Sequence, residues 1–213
     1  MSTTVAAESQ IVSQPELPGG SAITPANLLR MPDGKNYELI DGELVERKKS
    51  VLAGVVASRT NRLIGNFCEE RNLGWVMDSE VGYQCFSWKP DRVRWADVSF
   101  IAAERYSLDQ LSHEGYSSIP PDLAVAVISP NDLAKELDEK LEDYLRAGVK
   151  LIWVINPETR TLQVYYPDGT SRRLHEADDV SGDNVIPGFR CSVAMLFPAA
   201  PEVRPATTVS PSD

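Results

Sequence analysis

The sequence predicts one α/β domain, a central mixed sheet with helices packed against it and an N-terminal β-hairpin beside them. Three observations predict it. Residues 123–155 read as strand, helix, strand; residues 51–72 carry apolar positions at helical spacing; and turn-bounded apolar runs flank both.

The crossover is the longest consistent stretch. Leu123–Ile128 is short, apolar and partly β-branched, the composition of a strand covered on both faces. Ser129-Pro130-Asn131-Asp132 breaks it and offers N-cap residues to a helix over 132–147, which Gly148 ends. Leu151–Ile155 is a second apolar strand, so the connection reads as a right-handed parallel crossover. At about 100° per residue, Leu133, Leu137, Leu141 and Tyr144 share an arc of roughly 80° that packs on the sheet. Lys140 falls inside that arc, whereas Lys135, Glu139, Glu142, Asp143 and Arg146 lie outside it. Two readings of Lys140 stay open: it lies along the apolar surface and snorkels to water, or it is held for anion or metal-site chemistry.

In chain order, residues 1–22 lack periodicity and read as a disordered arm, 23–198 as the domain, and 199–213 as a disordered tail. Thr24-Pro25 starts a short helix through Met31. Tyr37–Ile40 and Glu43–Glu46, joined by Asp41-Gly42, form the hairpin. Alternation sets Glu38 opposite Tyr37 and Leu39, and on local grounds it faces solvent. The helix over 51–72 places Leu52, Val56, Leu63 and Phe67 on one arc, with Arg59 inside it. Trp75–Phe86 is a strand or bent strand pair containing Asp78 and Glu80, and Val93–Ile101 is a further strand with Asp97 at its middle. Thr161–Tyr166 and Ser171–His175 extend the sheet in antiparallel sense.

Composition removes several function classes. With 42% hydrophobic and 24% charged residues, and no apolar run near the ~18 residues of a membrane span, no membrane is involved. MSTTVAAESQ lacks the basic start and apolar core of a secretory signal, so the cytoplasm is the expected location. Cys68, Cys85 and Cys191 are odd in number and widely spaced, which excludes a disulfide framework or a CxxC metal motif. His113 and His175 are too few for a zinc–histidine cluster, and GxSxG, GxGxxG and Walker motifs are missing. Any metal is therefore a hard cation held by oxygens. A net charge of −10 argues against a DNA-coating protein, but less against a nuclease whose cation supplies positive charge locally. Arg47-Lys48-Lys49 is the only dense basic run.

The candidate site residues are Asp97, Glu80, Glu38 and Lys140: carboxylates on adjacent strands and a lysine aimed at the sheet. Converging carboxylates can hold Mg²⁺, and a nearby lysine can orient or help deprotonate a water that attacks a phosphodiester.

The segments YELIDGEL (37–44), ADVSFI (96–101), PPDLAVAVISPNDLAKELDEKLEDYLRAGVKLIWVINPETRTLQVY (120–165) and IPGFRCSVAMLF (186–197) occur in this order. Together they resemble the Uma-type family of restriction-endonuclease-like proteins, in the PD-(D/E)XK nuclease superfamily, over about residues 22–198. The resemblance implies a restriction-endonuclease-like fold, a DNA endonuclease that hydrolyses phosphodiester bonds, DNA as substrate, and Mg²⁺ or Mn²⁺ as cofactor. It assigns the metal-ligand aspartate to Asp97, with Ala96 where the family usually has proline, and the motif lysine, displaced onto the following helix, to Lys140. Glu38 and Glu80 resemble acidic positions recurrent in the family. The family's second acidic ligand falls on Ala126. Either Glu80 replaces that ligand from a neighbouring strand, or the alanine was introduced on purpose, or the chain is an inactive nuclease fold that binds nucleic acid or a protein partner, as a homodimer.

Overall fold

The computed structural model describes residues 22–111 and 115–199. Except for Ala22 and Ala199, the expected arm and tail lie outside them.

Helix α1 (Pro25–Arg30) is closed by a reciprocal cap: the Asn27 amide donates to Thr24 Oγ1, and the Thr24 amide donates back to Asn27 Oδ1 at 3.0 Å. Strands β1 (Tyr37–Ile40) and β2 (Glu43–Glu46) form the predicted hairpin. Asp41 and Gly42 both take positive φ, 52° and 85°, which gives a two-residue turn the same twist as its strands. Helix α2 (Val51–Arg71) begins on a Ser50 cap and ends at Asn72 in the left-handed region. Its buried stripe is Ala53, Val56, Thr60, Ile64 and Cys68, rotated from the expected arc, and Leu52 is exposed. Thr60 escaped the hydrophobic pattern because its hydroxyl is satisfied within the helix, donating to Val56 O at 2.8 Å. Arg59 turns instead to Met195 O, 3.1 Å away.

The remaining elements are β3 (Gly74–Asp78), β4 (Gly82–Tyr83), β5 (Arg94–Trp95), β6 (Val98–Ala102), β7 (Leu123–Val127), α3 (Ala134–Arg146), β8 (Leu151–Asn156), β9 (Thr161–Tyr165), β10 (Ser171–His175), β11 (Asp179–Ser181) and β12 (Arg190–Ser192). The central sheet runs β10-β9-β8-β7-β6-β3. Only β7 and β8 are parallel neighbours, joined across α3 as the crossover pattern predicts. The other pairs are antiparallel, so the sheet is mixed.

Two expectations need correction. The strand expected over 93–101 is split, because β5 pairs with β4 while β6 pairs with β3 and β7. Asp97 therefore sits at the entrance to β6 and not at mid-strand. The crossover helix starts at Ala134, since the Asp132 carboxylate accepts the Ser129 N–H at 2.7 Å and closes a turn first. That leaves Leu133 exposed instead of packed on the sheet.

Alternation divides the sheet into two faces. Leu123, Val125, Val127, Trp153 and Ile155 pack with α2, Phe189 and Phe197; Ala124, Ile152 and Val154 pack with Leu141 and Tyr144 of α3. A smaller cluster of Ile23, Leu28, Leu39, Val93 and Trp95 fastens the hairpin to β5. Trp153, fully buried with its ring centroid 6.1 Å from Phe189, fills the middle of the α2 face. Trp153→Ala should lower unfolding free energy by about 3–5 kcal/mol in urea denaturation, and a loss near zero would show that this face is not tightly packed.

Candidate active site

The register of β6 on β7 fixes the first part of the site. Val98 faces Val125, Ser99 faces Ala124, and the Asp97 amide donates to Val125 O at 2.8 Å. The ladder stops at Val98–Val125, and the Asp97 amide turns back to Val125 O instead of continuing the pairing, so Asp97 bulges out of the ladder while it and Ala126 both line the cleft. Asp97 Oδ2 accepts the Val127 N–H at 2.7 Å, and Oδ1 lies 3.9 Å from the Arg47 guanidinium.

Helix α3 brings Lys140 to the same place. Its side chain is 18% exposed and its Nζ lies 2.8 Å from Glu38 Oε1, so it ends on a carboxylate and not in water. Glu38 is buried, against the solvent-facing reading of its strand. The local pattern could not reveal this, because the hairpin folds across β5: Leu39 bridges Val93, and the face carrying Glu38 closes over Arg94. Glu38 Oε2 accepts from Arg94 Nη1 at 2.6 Å, and Oε1 accepts from the Trp95 N–H at 3.3 Å. Burial pushes the Glu38 carboxyl up, but Lys140 and Arg94 outweigh it and bring the pKa from 4.5 to about 2.

Three further residues belong to this constellation. Arg94, 1% exposed, also donates from Nε to Asp143 Oδ2 at 2.8 Å, and Asp143 Oδ1 accepts from Arg92 Nη1 at 2.5 Å. The wheel puts Asp143 on the outer side of its helix, and nothing around it announces partners from β5 and the turn before it. The signal that could have found them is Arg92 and Arg94 alternating within an otherwise apolar strand segment.

Glu80 does not join them. It follows the end of β3, pairs with Lys35, and is 59% exposed outside the cleft that Asp97 lines. The Lys35 hydrogen bond is the main cause that lowers its pKa. The expectation that Glu80 supplies a carboxylate beside Asp97 is corrected by this geometry: its strand ends at Asp78, before Glu80 can be carried inward.

The cleft, about 520 Å³, lies between the first turns of α2, the segment linking β2 to α2, the adjoining ends of β6 and β7, and the start of α3. It collects Arg47, Lys48, Lys49, Arg94 and Lys140, set against Glu38, Glu46, Asp78, Asp97, Asp132 and Glu136. Asp132 has a raised pKa, chiefly through burial, with the Asp97 and Glu136 charges adding to it and the Ser129 N–H and Lys140 opposing it. Among the described residues, no group of three or more His, Cys, Asp or Glu side chains is gathered tightly enough to hold a metal by itself.

A family model described as "Uma2: Putative restriction endonuclease" matches residues 25–194. The chain belongs to the Uma2 family. A comparison with curated proteins found no match. Among solved structures, this Uma2 chain is similar to "a putative nuclease belonging to DUF820 from Anabaena variabilis ATCC 29413", with a TM-score of 0.69 and 18% sequence identity over 82% of this chain and 97% of that one. The likeness establishes a nuclease-like fold. No helix among the described residues is long and apolar enough to cross a membrane.

The Glu38 pairing predicts a pH dependence. Its folded pKa, about 2, lies below the ordinary 4.5, so the unfolded chain takes up the proton first as pH falls. The stability it contributes, on the order of 3 kcal/mol, is complete above about pH 4.5 and is lost as pH falls toward 2. Urea denaturation at a series of pH values should give Glu38→Gln a lower stability at pH 7 and a shallower decline across that window. An unchanged slope would mean that Glu38 is not held by these cations.

Proposed function

We propose that this Uma2 protein is a Mg²⁺- or Mn²⁺-dependent endonuclease that hydrolyses phosphodiester bonds of DNA in the cytoplasm. The observation that carries the reading is the convergence of Asp97, Lys140 and Glu38 on one cleft of a nuclease-like fold. Asp97 is the metal-binding carboxylate in this reading: Oδ2 is tied to Val127, and Oδ1 is a hard donor without a hydrogen bond from any described residue. Asp132, which lines the same cleft as Asp97, takes the second place in this reading instead of Glu80. One or two carboxylates suit a hard cation that keeps several of its waters and shares substrate phosphate oxygens; they do not suit an all-protein cage. When bound, such a cation acidifies a water and offsets charge on the phosphate.

The protein groups do the rest. An ammonium carries three donors, so Lys140 Nζ can hold Glu38 and still direct an N–H at the attacking water or a phosphate oxygen. Glu38 and Arg94 position Lys140 and do not touch the reacting atoms. The water oxygen forms the new bond to phosphorus as the bond to the leaving sugar oxygen breaks.

Ala126 favours a second reading, in which the same cleft binds nucleic acid or a protein partner without cleaving it, the chain acting as a homodimer. Position 126 gives the test, because it lines the cleft with Asp97 and its neighbour Val127 donates to Asp97 Oδ2. On plasmid DNA with Mg²⁺ or Mn²⁺, Ala126→Glu should raise cleavage by about a hundredfold or more, and Ala126→Glu/Asp97→Ala should abolish it. In the Ala126→Glu background, Lys140→Met should lower the cleavage rate by about a hundredfold with folding retained. A folded Ala126→Glu protein that cleaves neither plasmid nor single-stranded DNA with either metal would sink the endonuclease reading in favour of the binding module.

A further inference from the structure

Arg47 lines the cleft and takes no part in the mechanism above. Its side chain is only 9% exposed, although it belongs to the basic run between β2 and α2. Two main-chain carbonyls fix it: Nη1 donates to Lys35 O at 2.9 Å and to Ser79 O at 3.3 Å. The guanidinium lies over the Trp95 ring at 5.5 Å, which adds a cation–π contact. The remaining edge is open. Nη2 is 3.9 Å from Asp97 Oδ1, near enough for attraction and too far for a hydrogen bond, and neither Nη2 nor Nε donates to any described residue. A buried guanidinium with unused donors facing a cleft is a pre-organised fork for a phosphate, since its planar N–H pair matches two oxygens of one anion.

The wall beside it is built to let a chain pass. Helix α2 presents Gly54, Ala57, Ser58 and Asn61 to the cleft: small side chains, a hydroxyl and an amide. Gly54 stands in the first turn of α2, four residues past the Ser50 cap, and a Cβ built there would meet no atom within 4 Å. Neither backbone strain nor crowding requires that glycine. It leaves room above the helix.

We propose that Arg47 is a phosphodiester-binding residue, its open edge taking the non-bridging oxygens of a nucleic-acid backbone that crosses α2 at Gly54, Ala57, Ser58 and Asn61. The inference rests on the nuclease reading only for the class of ligand, and binding measured without metal separates the two. Binding of a short fluorescent DNA duplex, followed by anisotropy in EDTA at low salt, should weaken about tenfold or more in Arg47→Lys, which keeps the charge and loses the fork. Gly54→Leu keeps Arg47, improves helix propensity and fills the passage, and it should weaken binding to a similar degree with no fall in unfolding midpoint. Inorganic phosphate at millimolar concentration should displace the duplex only weakly.

Arg47→Lys or Gly54→Leu binding as tightly as the parent, with the fold intact, would overturn the proposal and leave the cleavage assays untouched. Phosphate alone shifting the thermal midpoint as much as the duplex, in an Arg47-dependent way, would overturn it in favour of a free-anion site. A parent chain that fails to bind the duplex would overturn it as well, while cleavage by Ala126→Glu would still decide the nuclease reading.

Discussion

The candidate site depends on a chain of buried charges that joins three separate parts of the sequence. Arg94 lies between Glu38 of the hairpin and Asp143 of α3, and Glu38 in turn holds Lys140 one turn earlier on the same helix. Such networks contribute little net stability, because desolvation offsets most of the attraction, yet removing one member leaves an uncompensated charge that costs about 3–5 kcal/mol. Their effect is on geometry. With Arg94 nearly inaccessible to water, the hairpin can close over β5 only where both carboxylates meet the guanidinium, and that register sets where the Lys140 ammonium stands.

The second constraint is the strand pairing beneath these charges. β7 presents alternate residues to α2 and α3, and Ala126, half-buried beyond Ala124 on that alternation, opens onto the cleft instead of the α3 core. Its methyl group offers the cleft no oxygen donor, so the end of β7 adds no carboxylate to the one that Asp97 supplies. Arg47, Lys48, Lys49, Arg94 and Lys140 meet six carboxylates in the cleft, none of them contributed by β7. In a chain of net charge −10 the cleft is therefore a place where both signs of charge are gathered, and not a basic patch.

Much of this was legible in the sequence, for identifiable reasons. The crossover was readable because β7 and β8 are buried on both faces and α3 is amphipathic, and the hairpin because Asp41-Gly42 is a strong turn signal. Lys140 stood out as a charge on an apolar arc, and its burial agrees with that position. Glu38 was hidden because its partners come from β5 and α3, which local alternation cannot foresee. Glu80 misled for the opposite reason: an acidic residue near a strand end reads the same whether the strand continues inward or stops at Asp78. Thr60 was passed over because a hydroxyl satisfied inside its own helix behaves as an apolar surface.

The edge strand β10 carries a consequence of its own. It pairs with β9 on one side only, and Ser171, Arg172, Arg173 and His175 are exposed along it while Leu174 alone turns inward. A second chain adding to that edge would strip water from two guanidinium groups without a built-in acidic partner, an unfavourable step at the rim of a sheet. The sheet is thereby guarded against open-ended growth at this end, and association of two copies would be steered to a surface away from the strand ladder.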